Sequence, residues 1–384
     1  MRPRPPAPEH FTSRLRSPAV ASRVGVLLGI SFGLCFLTGL VSHYAQLPQQ
    51  PVPFPASPAW GYRVTQGLHV ISGTAAVPLL LVKLWTVYPR LFLRPPRRLR
   101  GLLVEVAERG SIAVLVASAV FLLASGLANS TAWYPWAFSF RTTHYALAWV
   151  AIGALVLHVA VKLPLIRQAL RADVDDTALD RPTATEPGAL SRRGLLRTTW
   201  LAAGVAVVAT AGNSVGWLRE VSVLAVRSSD GPQGLPVTKS ARAAGVLETA
   251  TSPAYRLTVE HAGERRTFGL EELQALPQVT ETLPIACVEG WSENAEWTGV
   301  RLRTLLDLVG APAGSAVVFE SLQESGAFRT SALPGHFADD DRTLVALRVN
   351  GEVLSLDHGH PCRLIAPNRP GVRQTKWLSR VVAT

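Results

Sequence analysis

Long runs of uncharged, apolar residues fill the first half of the chain and are absent from the second half. Each run is near the ~20 residues that a helix needs to cross the ~30 Å hydrocarbon core of a bilayer. The pattern therefore predicts five membrane-spanning helices, at about Val24–Val41, Leu68–Val87, Ser111–Ala128, Tyr145–Leu165 and Trp200–Leu218.

The pattern changes at about Val221, where short alternating apolar and polar runs are separated by Gly, Pro and Asp. The stretches AYRLTVEHAG and TLVALRVNGEVLSL predict strands, and Asn350–Gly351 predicts a hairpin turn. TFGLEELQALP and RLRTLLDLVG predict short helices, the second ending at Gly310. Strands and helices are mixed without regular βαβ alternation, so we expect an α+β domain.

Together these patterns predict a multi-domain chain, with an all-α transmembrane part followed by an α+β part. The predicted segments are a four-helix transmembrane domain over 1–166, a cytoplasmic linker over 167–199, a fifth transmembrane helix over 200–218 and an exported domain over 219–384.

The formal net charge of +11 reports topology rather than a nucleic-acid partner. Seventeen basic residues lie in three of the segments between the apolar runs, namely 1–23, 90–110 and 167–197. The two alternate loops contain only Arg63 and Arg141. By the positive-inside rule the amino terminus is cytoplasmic, and five crossings leave the last domain outside. That domain has 17 basic and 19 acidic residues, so we expect no nucleic-acid binding.

Four histidines lie in or at the ends of the predicted helices: His43, His69, His144 and His158. His144 and His158 are 14 residues apart, and 14 steps of ~100° are four turns less ~40°, so both rings face one side at a separation of ~21 Å. Two imidazoles at this spacing suit two haems, one per leaflet, the alternative being hydrogen bonds between helices. His69 lies at the same depth as His144.

GLHVISG, followed by THYALAWVAIGALVLHVAVKLP, resembles the membrane cytochrome b subunits of formate dehydrogenases and nickel–iron hydrogenases. The resemblance implies that His69 and His144 hold an outer haem b and that His158 binds an inner one. That family places the inner partner histidine where this chain has Ser22 and Arg23, so only one haem has both of its ligands.

Two further residues bear on this cytochrome-like region. His43, at the outer end of the first helix, is an alternative iron ligand that would compete with His69. Lys162, one turn after His158, is expected to extend to the membrane interface, or else to meet a haem propionate or a quinone.

The linker ends in SRRGLLRTT, immediately before the apolar run that begins at Trp200. This motif resembles a twin-arginine export signal, the alternative being ordinary basic residues that flank a membrane span. Twin-arginine export carries domains that have already folded, as is required when a cofactor is inserted in the cytoplasm.

Cys287 ends an apolar, strand-like run, so its sulfur is expected to project from the start of a loop, near Trp291 and Trp297. By chemistry alone this cysteine is a buried thiol, a disulfide partner of Cys362, a nucleophile or a soft-metal ligand. No base lies nearby in the sequence, which disfavours a cysteine protease.

CVEGWS, followed by WTGV and by LRVNGEVLSLDHGHPCRLIAPNRPGVRQTKWLSRV, resembles the molybdopterin oxidoreductases of the sulfite oxidase family. It is most similar to the branch of the periplasmic methionine sulfoxide reductase catalytic subunit. The resemblance implies a molybdopterin cofactor whose molybdenum is bound by Cys287, with Glu289 and Trp291 beside it. It implies cofactor contacts from Ser321, His358, Arg363, Gln374, Thr375, Lys376, Thr238 and Lys239. The alternative for Arg363 and Lys376 is solvated surface charge.

Animal and plant sulfite oxidases continue from this cysteine with Gly-Asn-Arg, whereas this chain has Val288, Glu289 and Gly290. A carboxylate beside the metal repels sulfite, so reduction of an S-oxide or N-oxide is favoured. The expected enzyme passes electrons between membrane quinone, haem b and molybdenum, with a further redox protein as an alternative partner. Two other hypotheses are an exported molybdenum enzyme anchored by haem-free helices and a membrane sensor or transporter with an outer binding domain.

Overall fold

The computed structural model describes residues 7–47, 50, 52–92, 99–225 and 231–384. The predicted basic segments 1–23 and 90–110 therefore lie partly outside the described residues.

Five long helices form the first half of the chain, as the apolar runs predict. They are α1 (Pro18–Ala45), α2 (Gly61–Val87), α3 (Leu99–Ser130), α4 (Phe140–Arg171) and α5 (Arg192–Ala211). Each is long and apolar enough to cross a membrane. Large apolar side chains on their surfaces are exposed, including Leu37 at 61% and Val156 at 64%. Exposed apolar area of this extent is compatible with a lipid environment.

The helix α5 differs from the predicted span, because it begins at Arg192 and ends at Ala211 rather than at Leu218. The cause lies in the residues that follow it. The carbonyl of Asn213 accepts a hydrogen bond from the backbone N–H of Ser292 at 2.8 Å, and the hydroxyl of Ser214 donates to the carbonyl of Gly290 at 2.7 Å. These residues pair with a loop of the C-terminal part instead of continuing the helix.

The two arginines of the SRRG motif lie at the first turn of α5 and hold the preceding linker. The buried Arg192 donates to the carbonyls of Val174 and Asp176 at 3.1 and 2.7 Å, and it forms an ion pair with Asp180. The exposed Arg193 pairs with Asp173 and Asp175. The linker is thus ordered by its own acidic residues and backbone.

Internal contacts divide the chain into two compact units. The first comprises 1–39, 68–211 and 221–224, and the second comprises 40–67, 212–220 and 225–384. The first unit has one buried cluster of apolar side chains. It contains Val20 and Val24 of α1, Leu79 of α2, Val174 of the linker and Leu196 of α5.

The second unit contains two five-stranded sheets. The first has the order β2–β1–β10–β5–β6, and only the β1–β10 pairing is parallel. The second has the order β3–β4–β7–β8, with β9 also paired to β7. The strands are β1 (Leu257–His261), β2 (Glu264–Phe268), β3 (Val279–Ala286), β4 (Ser292–Arg301), β5 (Val317–Ser321), β6 (Thr330–Leu333), β7 (Leu344–Val349), β8 (Glu352–Val353), β9 (Arg363–Ile365) and β10 (Leu378–Ala383).

Short helices connect these strands: α6 (Ala241–Ala244), α7 (Leu247–Thr251), α8 (Leu270–Ala275), α9 (Leu302–Asp307) and α10 (Gly335–Ala338). The predicted strands and helices of this part are present, and the turn between β7 and β8 falls on Asn350 and Gly351. Both residues have positive φ, of 50° and 82°, as a tight hairpin turn requires.

Both faces of the second sheet are buried, because alternate residues of β7 enter different cores. Val345 and Leu347 join the core that also contains α9 and the first sheet. Leu344 and Ala346 join the core that contains Cys287 and Trp297, and Val349 joins it as well because the register shifts at Thr298 and Gly299 of the paired strand β4. Because its side chains point to both faces of the sheet, β7 contacts the core of the first sheet on one face and the core that contains Cys287 on the other.

Residues 40–67 belong to the second unit and support its C-terminal segment. The side chain of Asn368 accepts from the backbone N–H of Tyr62 at 2.6 Å and donates to the carbonyl of Pro55 at 2.7 Å. Arg373 donates to the carbonyl of Leu47 at 2.9 Å. A Cβ on Gly61 would lie 2.9 Å from Oδ1 of Asn368, so this close approach requires glycine.

Candidate functional site

The loop between β3 and β4 presents Cys287, which directly follows the last residue of β3. The backbone N–H of Cys287 donates to the carbonyl of Trp291 at 2.9 Å, and Gly290 donates back to the carbonyl of Cys287 at 3.0 Å. Gly290 has a φ of 88°, which its missing Cβ permits. The predicted position of the cysteine at the start of a loop is confirmed, and the turn fixes the direction of its side chain.

Cys287 is 2% exposed and is a free thiol, as is Cys362, so the disulfide alternative is wrong for this structure. The hydroxyl of Tyr255 lies 3.2 Å from Sγ of Cys362, within the core. Burial, and then the charge of Glu289, raise the pKa of Cys287 to about 11, while Thr238 and Lys376 oppose the rise. Without a bound cation the thiol stays protonated, since only a metal or strong positive field makes such a buried sulfur a thiolate.

Two cations lie near the cysteine loop: the charge of Lys376 acts on the thiol of Cys287, and the guanidinium of Arg363 lies 5.1 Å from the ring centroid of Trp297. Arg363 is 1% exposed and donates to the carbonyls of His358 and Gln374 at 2.9 and 3.3 Å. Burial lowers the pKa of Arg363 to about 9. No carboxylate among the described residues forms an ion pair with it, although a buried charge without a counter-ion is costly. The alternative of a solvated surface charge is wrong for this arginine.

Lys376 is the second cation, and its Nζ donates to the carbonyls of Lys239 and Asp357 at 3.0 and 2.7 Å. Burial and then Arg363 lower the pKa of Lys376 to about 7. It too is not a solvated surface charge. The buried Arg363 and the half-buried Lys376, both held by neutral carbonyls, create a site of positive potential that a bound anion would compensate.

The neighbouring groups are held by the backbone of adjacent loops. Nε2 of His358 lies 2.8 Å from the carbonyl of Pro232, so this nitrogen carries the proton. Burial and then Arg363 lower the pKa of His358 to about 4, which leaves the ring neutral at pH 7 and Nδ1 an acceptor. The hydroxyl of Thr238 lies 3.6 Å from Sγ of Cys287, and Lys239 donates to the side chain of Gln323.

Ser321, Gln374 and Thr375 lie in the layer behind these groups. The hydroxyl of Ser321 donates to the carbonyl of Lys376 at 2.8 Å, so it positions the lysine backbone. The hydroxyl of Thr375 lies 2.6 Å from that of Ser331. The amide of Gln374 donates to the carbonyl of Arg369 at 3.2 Å, while its Oε1 has no partner.

Several buried side-chain atoms of the second unit have no hydrogen-bond partner in the part of the chain that the structure describes: Nε1 of Trp291, Oγ of Ser292, Nε of Arg363, Oε1 of Gln374 and Nδ1 of His360. Buried polar groups are normally satisfied, so these atoms indicate a polar ligand. A molybdopterin cofactor fits this donor set, because its phosphate suits the arginine and lysine, its pterin edge suits the amide and histidine, and its metal suits the thiol.

Sequence reasoning overlooked Arg369, which is also buried among carbonyls. It donates to the carbonyls of Arg373 and Ala332, at 3.0 and 2.6 Å, and its pKa is lowered to about 9 by burial and by Arg373. The only available signal was its place in NRPGVRQ, the motif that also contains Gln374.

In the first unit, His69 and His144 face each other with ring centroids 6.3 Å apart and planes at 66°. Nδ1 of His69 lies 2.9 Å from the carbonyl of Cys35, and Nδ1 of His144 lies 3.3 Å from the hydroxyl of Ser125. Both Nδ1 atoms are thereby engaged, which leaves each Nε2 available to a metal.

Glycines flank both rings. A Cβ on Gly39 would lie 3.1 Å from Cε1 of His69, and one on Gly126 would lie 3.7 Å from Cε1 of His144. These donors and the space beside them fit the axial ligation of a haem iron.

His158 has a different environment. Its charged neighbours are Lys83, Lys162, Glu108 and Arg90, and Lys162 forms an ion pair with Glu108. Its ring contacts no other histidine in the part of the chain that the structure describes. Arg23 donates to the carbonyls of Ala169 and Ala172, at 3.0 and 2.8 Å. The position of the missing inner ligand is thus occupied by a structural arginine, and the donors present do not fit a second bis-histidine haem.

His43 lies in the last turn of α1, and the pair of His69 and His144 supplies two nitrogen donors without it. Lys162 forms an ion pair with Glu108, and its predicted extension to the membrane interface stays a prediction.

Residues 244–384 match the family model described as the oxidoreductase molybdopterin binding domain. This part of the chain is a molybdopterin-binding enzyme domain. Its relatives include proteins described as a sulfite oxidase, a nitrate reductase and a methionine sulfoxide reductase subunit.

The chain is similar to mitochondrial sulfite oxidase of Drosophila melanogaster, with 32% identity over 33% of this chain and 27% of that protein. It is 31% identical to a protein described as a protein-methionine-sulfoxide reductase subunit, YedZ1, of Azospira oryzae, over 34% of this chain and 49% of that protein. It is 34% identical to the NADPH nitrate reductase of Phytophthora infestans, over 30% and 16%. The chain therefore matches less than half of the length of each of these relatives.

A solved structure, the sulfane dehydrogenase SoxCD of Paracoccus pantotrophus, shares 28% identity at a TM-score of 0.32, covering 34% of this chain and 38% of that one.

The lowered pKa of Lys376 predicts a pH-dependent stability of the cofactor-free protein. Between its folded pKa of about 7 and an unfolded value of ~10.4, the folded chain binds fewer protons than the unfolded chain, so stability rises with pH there. Below pH 7 the full cost of the buried charge is present. Lys376→Met should therefore raise the melting temperature of the cofactor-free protein most at pH 6, and the gain should shrink toward pH 10.

The measurement is thermal unfolding of protein made in cells that lack molybdopterin. The exposed Arg348→Met serves as the control and should give no pH-dependent gain. A gain from Lys376→Met that is the same at every pH would contradict the assigned burial cost.

Proposed function

We propose that this protein is a membrane-bound molybdenum oxidoreductase that passes electrons between the quinone pool, haem b and an extracytoplasmic molybdopterin centre. The domain arrangement proposed is a haem-binding helical region over 1–166, a linker between α4 and α5, a fifth span formed by α5 (Arg192–Ala211) and an exported catalytic domain over 219–384. The observation that carries the proposal is the free thiol of Cys287 near the cations of Arg363 and Lys376, neither of which forms an ion pair with a carboxylate among the described residues.

In the catalytic domain, the bound molybdopterin centre supplies oxygen-atom transfer at its metal. Cys287 would provide the thiolate ligand, and the turn closed by Trp291 and Gly290 holds its direction. Arg363 and Lys376 would bind the phosphate and stabilise negative charge on the sulfur ligands. His358 would accept a hydrogen bond at Nδ1, while Ser321, Gln374 and Thr375 fix the loop that carries the lysine.

Glu289 is the residue that favours an S-oxide or N-oxide over sulfite. It is buried at 5% exposure, two residues after Cys287, and its charge acts on that thiol. An anion such as sulfite would approach this carboxylate at a cost, whereas a neutral oxide would not. Trp291 adds an aromatic wall whose indole N–H has no protein partner and can donate to an oxide oxygen.

The substrate class is tested with the purified full chain. Dithionite-reduced viologen should be oxidised rapidly by dimethyl sulfoxide, methionine sulfoxide or trimethylamine N-oxide. Sulfite with ferricyanide as acceptor should react at least about tenfold more slowly, the factor expected for one unfavourable charge of ~1.4 kcal/mol. Faster oxidation of sulfite would overturn the assignment.

The electron path is tested by composition. Metal analysis together with the reduced-minus-oxidised absorbance spectrum should show both molybdenum and haem b in one chain. Molybdenum without haem would identify a catalytic domain that is merely anchored, and the absence of both would indicate a sensor or transporter. Oxidation of a quinol by the S-oxide, with reduction of the haem on the path, would support the complete chain of transfer.

A further inference from the structure

A cluster of three arginines lies at the end of the first unit that carries the amino-terminal segment, the end of α2 and the linker. Arg16 precedes α1, Arg90 lies in the 3₁₀ turn Tyr88–Phe92 after α2, and Arg181 lies in the linker. Their charges act on each other, because Arg181 lowers the pKa of Arg16 and Arg90 lowers that of Arg181, in each case after burial. Like charges are therefore held together against their repulsion.

These guanidinium groups carry hydrogen-bond donors that the protein does not use. NH1 of Arg16 and NH1 of Arg181 are buried and have no hydrogen-bond partner among the described residues, and the same holds for Oγ1 of Thr183. The second terminal nitrogen of Arg181, NH2, donates to the carbonyl of Phe11 at 3.0 Å, which fixes the orientation of the guanidinium. Asp180, the acid that raises the pKa of Arg181, forms its ion pair with Arg192. The cluster thus combines excess positive charge with oriented donors.

Aromatic rings enclose the cluster on its apolar side. The guanidinium of Arg16 lies 5.0 Å from the ring centroid of Phe11 and 4.4 Å from that of Trp85. Phe11 stacks on Phe92 and meets Tyr88 edge to face. Aromatic residues next to basic ones at the end of a membrane span are typical of the interface, where anionic headgroups lie.

We propose that Arg16, Arg90 and Arg181 form a binding site for the phosphate of an anionic ligand, and that the ligand is a phospholipid headgroup of the cytoplasmic leaflet. The unused N–H groups would donate to phosphate oxygens, for which the planar guanidinium is well suited. A bound headgroup would join the amino-terminal segment, the end of α2 and the linker. The leaflet rests on the proposed topology, whereas the phosphate chemistry does not.

The full chain in mild detergent tests this site by thermal unfolding with added phosphatidylglycerol, phosphatidylcholine or inorganic phosphate. Phosphatidylglycerol should raise the melting temperature, and zwitterionic phosphatidylcholine should not. The double variant Arg16→Gln/Arg181→Gln should bind phosphatidylglycerol at least about tenfold more weakly. Arg171→Gln, an exposed arginine at the end of α4, is the matched control and should behave as the unmodified protein.

Equal stabilisation by both lipids, or undiminished binding by the double variant, would overturn the proposal. Inorganic phosphate acting as strongly as phosphatidylglycerol would support the phosphate site and reject the lipid as its source. If the double variant does not fold, the comparison of the two lipids on the unmodified chain still decides the question. If the phospholipid proposal fails, the proposed redox function is unaffected, because neither His144 nor Cys287 is part of this site.

Discussion

Cys287→Ser should reduce S-oxide turnover by at least about a hundredfold. Loss of a residue that only hydrogen-bonds to a metal ligand costs up to about a hundredfold, and loss of the ligand itself should cost at least as much. The serine hydroxyl is similar in size, so the loop closed by Trp291 and Gly290 should persist. A hydroxyl is a harder and much less acidic donor than a thiol, and it would not supply the sulfur ligand. Viologen-coupled reduction of dimethyl sulfoxide measures the loss.

Cys362→Ala is the matched control, because Cys362 is equally buried but lies in the core beside Tyr255. Its loss should destabilise the fold by about 1–3 kcal/mol while turnover per folded molecule is retained. The absorbance of the helical region should be unchanged in both variants. Full activity of Cys287→Ser, or equal loss of activity in both variants, would show that Cys287 is an ordinary core thiol.

The elements that sequence could predict are those fixed by local periodicity. Apolar runs near 20 residues gave the five helices, and alternation with an Asn-Gly turn gave β7 and β8. Cys287 was correctly placed at the end of a strand for the same reason. The end of α5 was not predictable, because Asn213 and Ser214 leave the helix to pair with a loop almost 80 residues away.

Long-range contacts also account for what was missed at the two sites. The role of Asn368, which anchors residues 55 and 62, depends on chain segments about 300 residues apart. Arg369 is buried only because the fold brings the carbonyl of Ala332 within hydrogen-bond distance of it. Helical periodicity places His158 on the same face as His144, but it cannot reveal that Arg23 is bonded to α4 where a ligand would be needed.

The contacts of the three histidines explain why the two predicted haem positions differ. At His69 and His144, the hydrogen bonds engage Nδ1 and leave Nε2 available to a metal. Glycines lie beside both rings. At His158, the charged neighbours are the ion pair of Lys162 with Glu108 and the ammonium of Lys83, which donates to the carbonyl of Ala21. Equal spacing on one helix therefore leads to two chemically different environments.

His144→Leu should remove essentially all of the haem b absorbance from the purified chain, because a single remaining imidazole cannot provide both axial ligands. Leucine is similar in volume and apolar, so the helix should stay in place. His69→Leu should have the same effect. Molybdenum content should be retained, since the cations and thiol of the catalytic domain are unchanged. Reduced-minus-oxidised spectra and metal analysis measure the two cofactors separately.

Two further variants test the proposed haem ligands. Ser125→Ala removes the hydroxyl that lies 3.3 Å from Nδ1 of His144, and it should weaken haem retention about tenfold. His158→Leu should leave the spectrum intact, because the donors around His158 do not form a second bis-histidine site. Normal haem content in His144→Leu would reject the pair of His69 and His144 as ligands. Loss of half the haem in His158→Leu would instead require a second haem with a partner other than histidine, and the ion pair of Lys162 and Glu108 would then have to rearrange to admit it.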